Sequence, residues 1–288
     1  MAFNDLQLKV AAETAIMGLQ PHMASLKYFA HNFKELEDRK GSAIAVPVYS
    51  LTEAADFDTD SNNWGSGENE IQGEVLNLEK HLIKSIALDD VAANTTEVNF
   101  LRDGTKAIVD VIAHGANKYV YGMINETNCP TSAAFTGSDK TAFANLFKIA
   151  SDNGINPYEA VVVLTPEYYS KVLSFLDAVV YSNDQAVKYG VVEGLYGFRA
   201  VIASSYLPAG VKGAIIPYQC VGIASRINKP AVDGYVNTWT ASTEDGFTLG
   251  FRVYEDLAKG VARLGADVLM GAKLFQADKI VRLAWDNN

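Results

Sequence analysis

With 288 residues, 49% of them hydrophobic and 20% charged, the chain has enough apolar surface to bury the core of one large domain or two small ones. Its formal charge of −10, with no basic run, argues against direct, tight gripping of nucleic acid, because affinity for phosphates comes from a concentrated basic face; enclosing nucleic acid without gripping it stays open. No apolar stretch approaches the ~20 residues needed to cross a bilayer, and the start lacks a basic-then-apolar signal pattern, so a soluble, unsecreted protein with no membrane partner is expected.

Residues 4–40 read as mostly helical, interrupted at Pro21. Leu6, Val10, Ala11 and Ile16 mark one segment; Leu26, Phe29, Phe33 and Leu36 mark a second that closes on the charged run Lys34–Lys40 and then Gly41. Such an arm packs on its own domain or reaches to a neighbour, and the sequence does not choose. Ser42–Ser50 alternates Ile44, Val46 and Val48 with smaller residues, and Pro47 makes it an edge strand. After a polar tip, Glu53–Glu68, a second extended run carries Ile71, Val75, Leu78, Leu82 and Ile86. Together they predict a protruding hairpin with little core of its own. A two-stranded ribbon is at best marginal in water, so something outside its own domain is expected to hold it.

Between Gly41 and Glu79 there is no Lys or Arg, whereas Glu53, Asp56, Asp58, Asp60, Glu68, Glu70, Glu74 and Glu79 are all present. Like charges on a slim ribbon repel unless a basic surface lies against them. The C-terminal part offers Arg252, Lys259, Arg263, Lys273, Lys279 and Arg282. The hairpin acids, with Trp64 among them, are therefore expected to meet these basic side chains on a neighbouring subunit, since a single subunit is not expected to lay the ribbon on its own end.

Thr95–Ile124 is the longest periodic stretch. Val98, Leu101, Ile108, Ile112, Tyr119 and Met123 form one helical stripe, with Asp103, Lys106, Asp110, Asn117 and Lys118 around the other sides. Thr95 or Thr96 supplies an N-cap and Glu97 suits the positive helix end. Unbroken, the helix would run roughly 45 Å; Gly104 and Gly115 either permit close packing or mark a bend. Asn125–Pro130 ends it with turn chemistry. Thr141–Asn153 reads as a short helix stopped by Gly154, Ala160–Leu164 as a buried strand, and Pro166 as the first residue of another helix. Val191–Ala203 and Ala214–Ala224 are strand-rich around the turn Leu207–Gly210, and Phe247–Tyr254 and Val268–Leu283 return as strands. The whole is α+β, without an internal repeat.

Chemistry is sparse. There is no Walker loop, no GxGxxG and no HExxH, and Gly65-Ser66-Gly67 lacks the strand-to-helix setting that aims amides at a phosphate. Asp56-x-Asp58-x-Asp60 mimics the start of a calcium loop, but Ser61 stands where the turn wants Gly and Gly67 where the bidentate Glu belongs, so a solvated acidic tip is the reading. Cys129 and Cys220 read as two unrelated buried or half-buried thiols. His22, His31, His81 and His114 accompany no nucleophile; His114 is read as contacting Asp110 one turn back. Tyr168, Tyr169, Tyr181, Tyr189, Tyr196, Phe198 and Tyr206 read as core and interface anchors. No catalytic residue, cofactor or metal is expected, and an enzyme with a polar pocket in the α+β middle is the disfavoured class.

The order of arm, hairpin, long helix, α+β middle and returning strands resembles the major capsid proteins of tailed bacteriophages, the Hong Kong 97-like fold. Local matches run in order through Lys118–Met123, Thr141–Leu146, Val161–Tyr169 (strand, then threonine-proline-acid-aromatic), Gly194–Val201, Ser204–Gly210 and Val268–Leu283. The resemblance implies an N-terminal arm at 1–40, an extended β-hairpin E-loop at 41–90, a peripheral domain with the spine helix at 91–130, an axial domain at 131–237 and returning peripheral strands at 238–288. It implies self-assembly into pentamers and hexamers of an icosahedral virion capsid enclosing double-stranded DNA, built in the host cytoplasm with portal and decoration or cement proteins. Some relatives cross-link an E-loop lysine to a neighbour's asparagine; without a lysine in the hairpin that covalent route is expected to be closed. The short arm points to a separate scaffolding protein. An encapsulin-like compartment shell packaging a cargo enzyme is the alternative, with Leu6–Met17 as a candidate cargo-binding helix.

Overall fold

The computed structural model describes residues 5–33, 43–49, 71–89, 100–135, 140–175, 191–218, 220–227, 237–256 and 261–284. From the N-terminus these form helix α1 (Asp5–Met23), a 3-10 turn (Leu26–Tyr28) and strands β1 (Ala30–Asn32), β2 (Ala43–Tyr49), β3 (Ile71–Asn77) and β4 (Lys80–Asp89). Helix α2 (Phe100–Gly122), strand β5 (Ser132–Ala134), helix α3 (Lys140–Asp152), strand β6 (Ala160–Leu164) and helix α4 (Pro166–Phe175) follow. The remainder is β7 (Val191–Glu193), β8 (Ala200–Ala203), β9 (Val211–Pro217), β10 (Val221–Arg226), β11 (Asn237–Ser242), β12 (Thr248–Asp256), β13 (Val261–Leu274) and β14 (Val281–Ala284).

The fourteen residues of β13 hold the first sheet together. Antiparallel β4 pairs along one edge of β13; β12 and then β10 share the other, with β11 beyond β12 and β1 parallel to β10. Period-two alternation sends Trp239, Ala241, Leu249, Phe251, Val253, Leu264, Ala266, Val268 and Met270 to one buried face. On that face lie α1 and α2. Ala11, Ala15, Leu19 and Met23 of α1 meet Ile108, Val109, Ile112, Ala113 and Ala116 of α2 within the same core, and the small side chains and Gly18 let the helices approach closely.

Helix α2 is 23 residues, about 35 Å at ~1.5 Å per residue; the predicted stretch before Phe100, with its caps, lies outside the described residues. Ile108 and Ile112 are buried as expected, but Asn117 is not on the polar side: it is 1% exposed, and its Nδ2 donates to the carbonyls of His22 (2.9 Å) and Ala113 (3.0 Å). The His22 carbonyl belongs to the last turn of α1, where no intrahelical donor reaches it, so Asn117 supplies one. Pro21 does not interrupt α1; it sits in that last turn, where it removes one N–H without splitting a long run. The second predicted N-terminal helix is corrected too. Leu26 and Phe29 are buried from a single 3-10 turn, and the chain then pairs as β1 against β10, tertiary pairing overriding the helical spacing. The described part of the arm, residues 5–33, therefore packs on its own subunit.

The second sheet runs β5-β14-β9-β6-β8-β7. Its central strand β6 is buried on both faces, which is why its sequence is an unbroken apolar run. Val161 and Val163, with Ala200, Ile202, Ala214 and Ile216, join the core of α1, α2 and the first sheet. Ala160, Val162 and Leu164 point the other way, onto Phe143, Leu146 and Ala150 of α3 and Tyr168, Tyr169 and Val172 of α4. Gly154, at φ +68°, ends α3 as read from the sequence.

Sheet membership cuts across the divisions drawn from the sequence. β1, from the arm, β4, expected as the far part of the hairpin's second strand, and β10, from 131–237, belong to the first sheet, while β14, from the last segment, pairs with β9 and β5 in the second. The closing stretch is thus two strands in two sheets, broken at Phe275–Ile280. Strand β11 escaped the sequence reading because among Thr238–Ser242 only Trp239 and Ala241 are buried.

Candidate assembly surface

The ribbon exists: β2 and β3 pair antiparallel from Ala43↔Asn77 to Tyr49↔Ile71, with Pro47 opposite Gly73, as a separate two-stranded sheet. Its tip, with Glu53, Asp56, Asp58, Asp60, Trp64, Glu68 and Glu70, lies outside the described residues. Its root does not stand free. Ile44 and its cross-strand partner Leu76 are buried with Leu78 and Ala224, and Phe33, Val46, Leu269 and Phe275 pack around them. This plug sits on the outer face of the first sheet, opposite the helices.

Two glycines make room for it. A Cβ on Gly271 would stand inside the Asn77 carbonyl, with Leu76 Cδ2 at 2.9 Å; one on Gly222 would collide with Phe275, with Phe33 Cε2 at 2.9 Å. One pair further out, where Val46 faces Glu74, Lys273 Nζ lies 3.0 Å from Glu74 Oε2 and donates to the Val75 carbonyl at 3.0 Å. The expectation that one subunit does not lay the ribbon on its own closing strands fails at this root: Lys273 pairs with an acid of its own chain.

The other expected basic partners divide by position. Arg252 and Arg263 lie on the same outer face as the root, since their neighbours Phe251, Val253 and Leu264 take the inner one. Arg252 Nη2 contacts the buried carboxylate of Asp267 at 3.3 Å, and His81 Nε2 of β4 meets that carboxylate at 3.0 Å, so Asp267 ties three strands. Ile83 and Tyr254 share this face and are 69% and 42% exposed. Lys279 is exposed in the 3-10 turn Ala277–Lys279. Arg282 is 7% exposed, and its Nε donates to the Cys129 carbonyl at 2.6 Å, so it braces the exit of α2 inside the subunit instead of facing a neighbour. Lys259 lies outside the described residues. Sequence reasoning missed Asp267, His81 and the two glycines; an aspartate and glycines inside an otherwise apolar strand were the available signal.

Elsewhere, His114 does not contact Asp110. His22 Nε2 takes that carboxylate at 3.2 Å, because α1 lies alongside, and His114 packs edge-on against Tyr206 with ring centroids 5.0 Å apart. Among the described residues no group of three or more metal-ligating side chains converges. A cleft of about 360 Å³ lies beside α1, lined by Met17, Lys27, Tyr28 and Asp245 among others.

Both cysteines are free and buried. Burial pushes Cys129 from 9.0 to about 11, with nearby Arg282 acting in the opposite direction, and pushes Cys220 from 9.0 to about 11, opposed by Lys279. Each thiol therefore holds its proton more tightly folded than unfolded, and the stability this contributes is complete below the unfolded value and lost as pH climbs through the folded one. Urea unfolding should show this as a falling midpoint between about pH 9 and 11, steeper than in a Cys129→Ala/Cys220→Ala variant; identical slopes would count against the buried thiols as its source.

No protein-family model matches the sequence, and no curated protein does. Solved structures do match in fold. A chain from Mycobacterium phage Che8 aligns at TM-score 0.58 and 13% identity, covering 89% of both chains. The capsid of cyanophage P-SCSP1u aligns at TM-score 0.58 and 12% identity, over 90% of this chain and 86% of that one. The virus-like particle from Pyrococcus furiosus aligns at TM-score 0.57 and 11% identity, over 97% and 100%. With its long α2 beneath a ribbon-bearing sheet and a second sheet sharing the core, the chain has the Hong Kong 97-like fold of phage major capsid proteins.

Proposed function

We propose that this chain is the major capsid protein of a tailed double-stranded DNA bacteriophage, building pentamers and hexamers of an icosahedral head. The observation that carries the reading is the ribbon, a two-stranded sheet outside both larger sheets of a capsid-type fold. The first sheet with α1 and α2 corresponds to the peripheral domain, and the second with α3 and α4 to the axial one. A neighbour's ribbon, carrying Glu53, Asp56, Asp58, Asp60, Trp64, Glu68 and Glu70, lies on the outer face that presents Ile83, Tyr254, Arg252 and Arg263. Lys259 and Lys279 complete the basic side of that contact. The net charge of −10 keeps the enclosed polyanion off the wall. A scaffolding protein, a portal and decoration proteins complete assembly in the host cytoplasm.

The test is electron microscopy of the expressed protein, alone and with a co-expressed scaffolding protein. Closed shells are expected in at least one condition; a monodisperse small species in both would overturn the reading.

A second reading, an encapsulin-like shell holding a cargo enzyme, is favoured by the cleft beside α1, where Met17 is 76% exposed. Particles purified from the host distinguish the two: packaged nucleic acid supports the head, a packaged protein the compartment.

A further inference from the structure

We propose that Lys273 is a positioning residue: it locks the root of the ribbon and so sets the direction in which β2 and β3 leave their own subunit. The body-facing side of the ribbon is written pair by pair. Ile44 and Leu76 plug the outer face of the first sheet, over the row where Gly222 and Gly271 leave no side chain. The next pair outward is Val46 and Glu74, both half-buried, and there the apolar contact gives way to the Lys273 ammonium. Lys273 holds two points of β3 at once, the Glu74 carboxylate and the Val75 carbonyl, each at 3.0 Å. Hydrophobic contact is non-directional and lets a plug pivot, whereas an ion pair and a hydrogen bond from one ammonium to adjacent residues of a strand fix an angle. Among the described residues β2 and β3 pair only with each other, so beyond the plug no further strand pairing steadies them. The lysine is thus the outermost described point at which the subunit grips its own ribbon.

Under the shell reading above, on which this consequence rests, the angle at the root fixes where the ribbon meets the next subunit and hence the curvature of the wall. The lock itself does not depend on that reading.

Hydrogen–deuterium exchange on the unassembled subunit tests it. Lys273→Met keeps the aliphatic stem and removes the donors. Exchange of the amides in 43–49 and 71–77 should rise about threefold to fivefold, the opening expected from one lost half-exposed ion pair, with the amides of β6 and β12 unchanged. Lys273→Arg should restore protection. Unchanged exchange in the ribbon, or a uniform rise across the subunit, would overturn the lock. Electron microscopy of the same variant reads the consequence: a broader spread of shell diameters is expected, and a wild-type spread would overturn the role in curvature. If the wild type forms no shells, the shell reading fails, and the exchange result still decides the lock.

Discussion

Replacing Gly271 with alanine is expected to destabilise the subunit by about 3 kcal/mol, at the upper end of the usual cost of overpacking. The size follows from what the new methyl meets. A flexible side chain at the end of its reach can turn aside, but here the obstruction is the Asn77 carbonyl, with its carbon at 2.9 Å, and Leu76 Cδ2 at the same distance. Neither can yield cheaply. Asn77 is the last residue of β3, three residues before β4 begins its ten-residue pairing with β13, and Gly271 is held between Ala224 on β10 and its own strand. Relief requires lifting the root and unseating Leu76, which is fully buried. Against this stands the chain-entropy gain of a Gly→Ala change, at most about 1 kcal/mol, so the clash decides the sign. Gly73 is the internal control: it lies on the same ribbon with nothing within 4 Å of its Cβ position, and Gly73→Ala should stay within about 0.5 kcal/mol of the wild type. Chemical denaturation of the unassembled subunit measures both. Equal stability for the two variants would show that the root is not seated on that glycine.

The elements legible in the sequence are those whose pattern is set by their own surroundings. The helix Lys140–Asp152 and the strand Ala160–Leu164 lie within a residue of their predicted ends and the next helix starts at Pro166 as read, because a helix with its own apolar stripe and a strand buried on both faces carry their pattern whatever their partners. Asn117 was misplaced for the opposite reason. Its burial depends on a carbonyl of α1, which no local periodicity reveals. Asp110 and His114 repeat the lesson: one helical turn apart, they looked like a pair, but α1 brings His22 to the carboxylate first. The ribbon shows both sides. Alternation with Pro47 gives β2, but the single run expected over Ile71–Ile86 is two strands, β3 in the ribbon and β4 on β13; the pairing of Glu74 with Lys273 joins residues far apart in sequence, and the acid-against-base logic that draws them together assigns the contact to a neighbour. At this one pair charge complementarity is the operative physics, and topology decides which copy supplies the partner.

That distinction makes the tip the sharper test of assembly. Changing Asp56, Asp58 and Asp60 to lysine should abolish shells while leaving the subunit folded. Each reversal adds two charges, so the formal net charge moves from −10 to −4, still far enough from zero to keep the subunit soluble. Surface reversals away from a packed contact change stability by only about 0.5 kcal/mol, so denaturation of the subunit should hardly move. An interface of like charges costs several kcal/mol, and in a closed shell the same contact recurs at every subunit, so the penalty multiplies while the folding energy stays that of one chain. Sedimentation and electron microscopy would read the loss directly. Glu74→Lys is expected to behave differently, loosening the ribbon within the subunit through Lys273, and comparing the two separates the contact made at home from the one proposed with a neighbour. Intact shells from the triple variant would remove the acidic tip from the interface and leave the apolar face around Ile83 and Tyr254 as its remaining driving force.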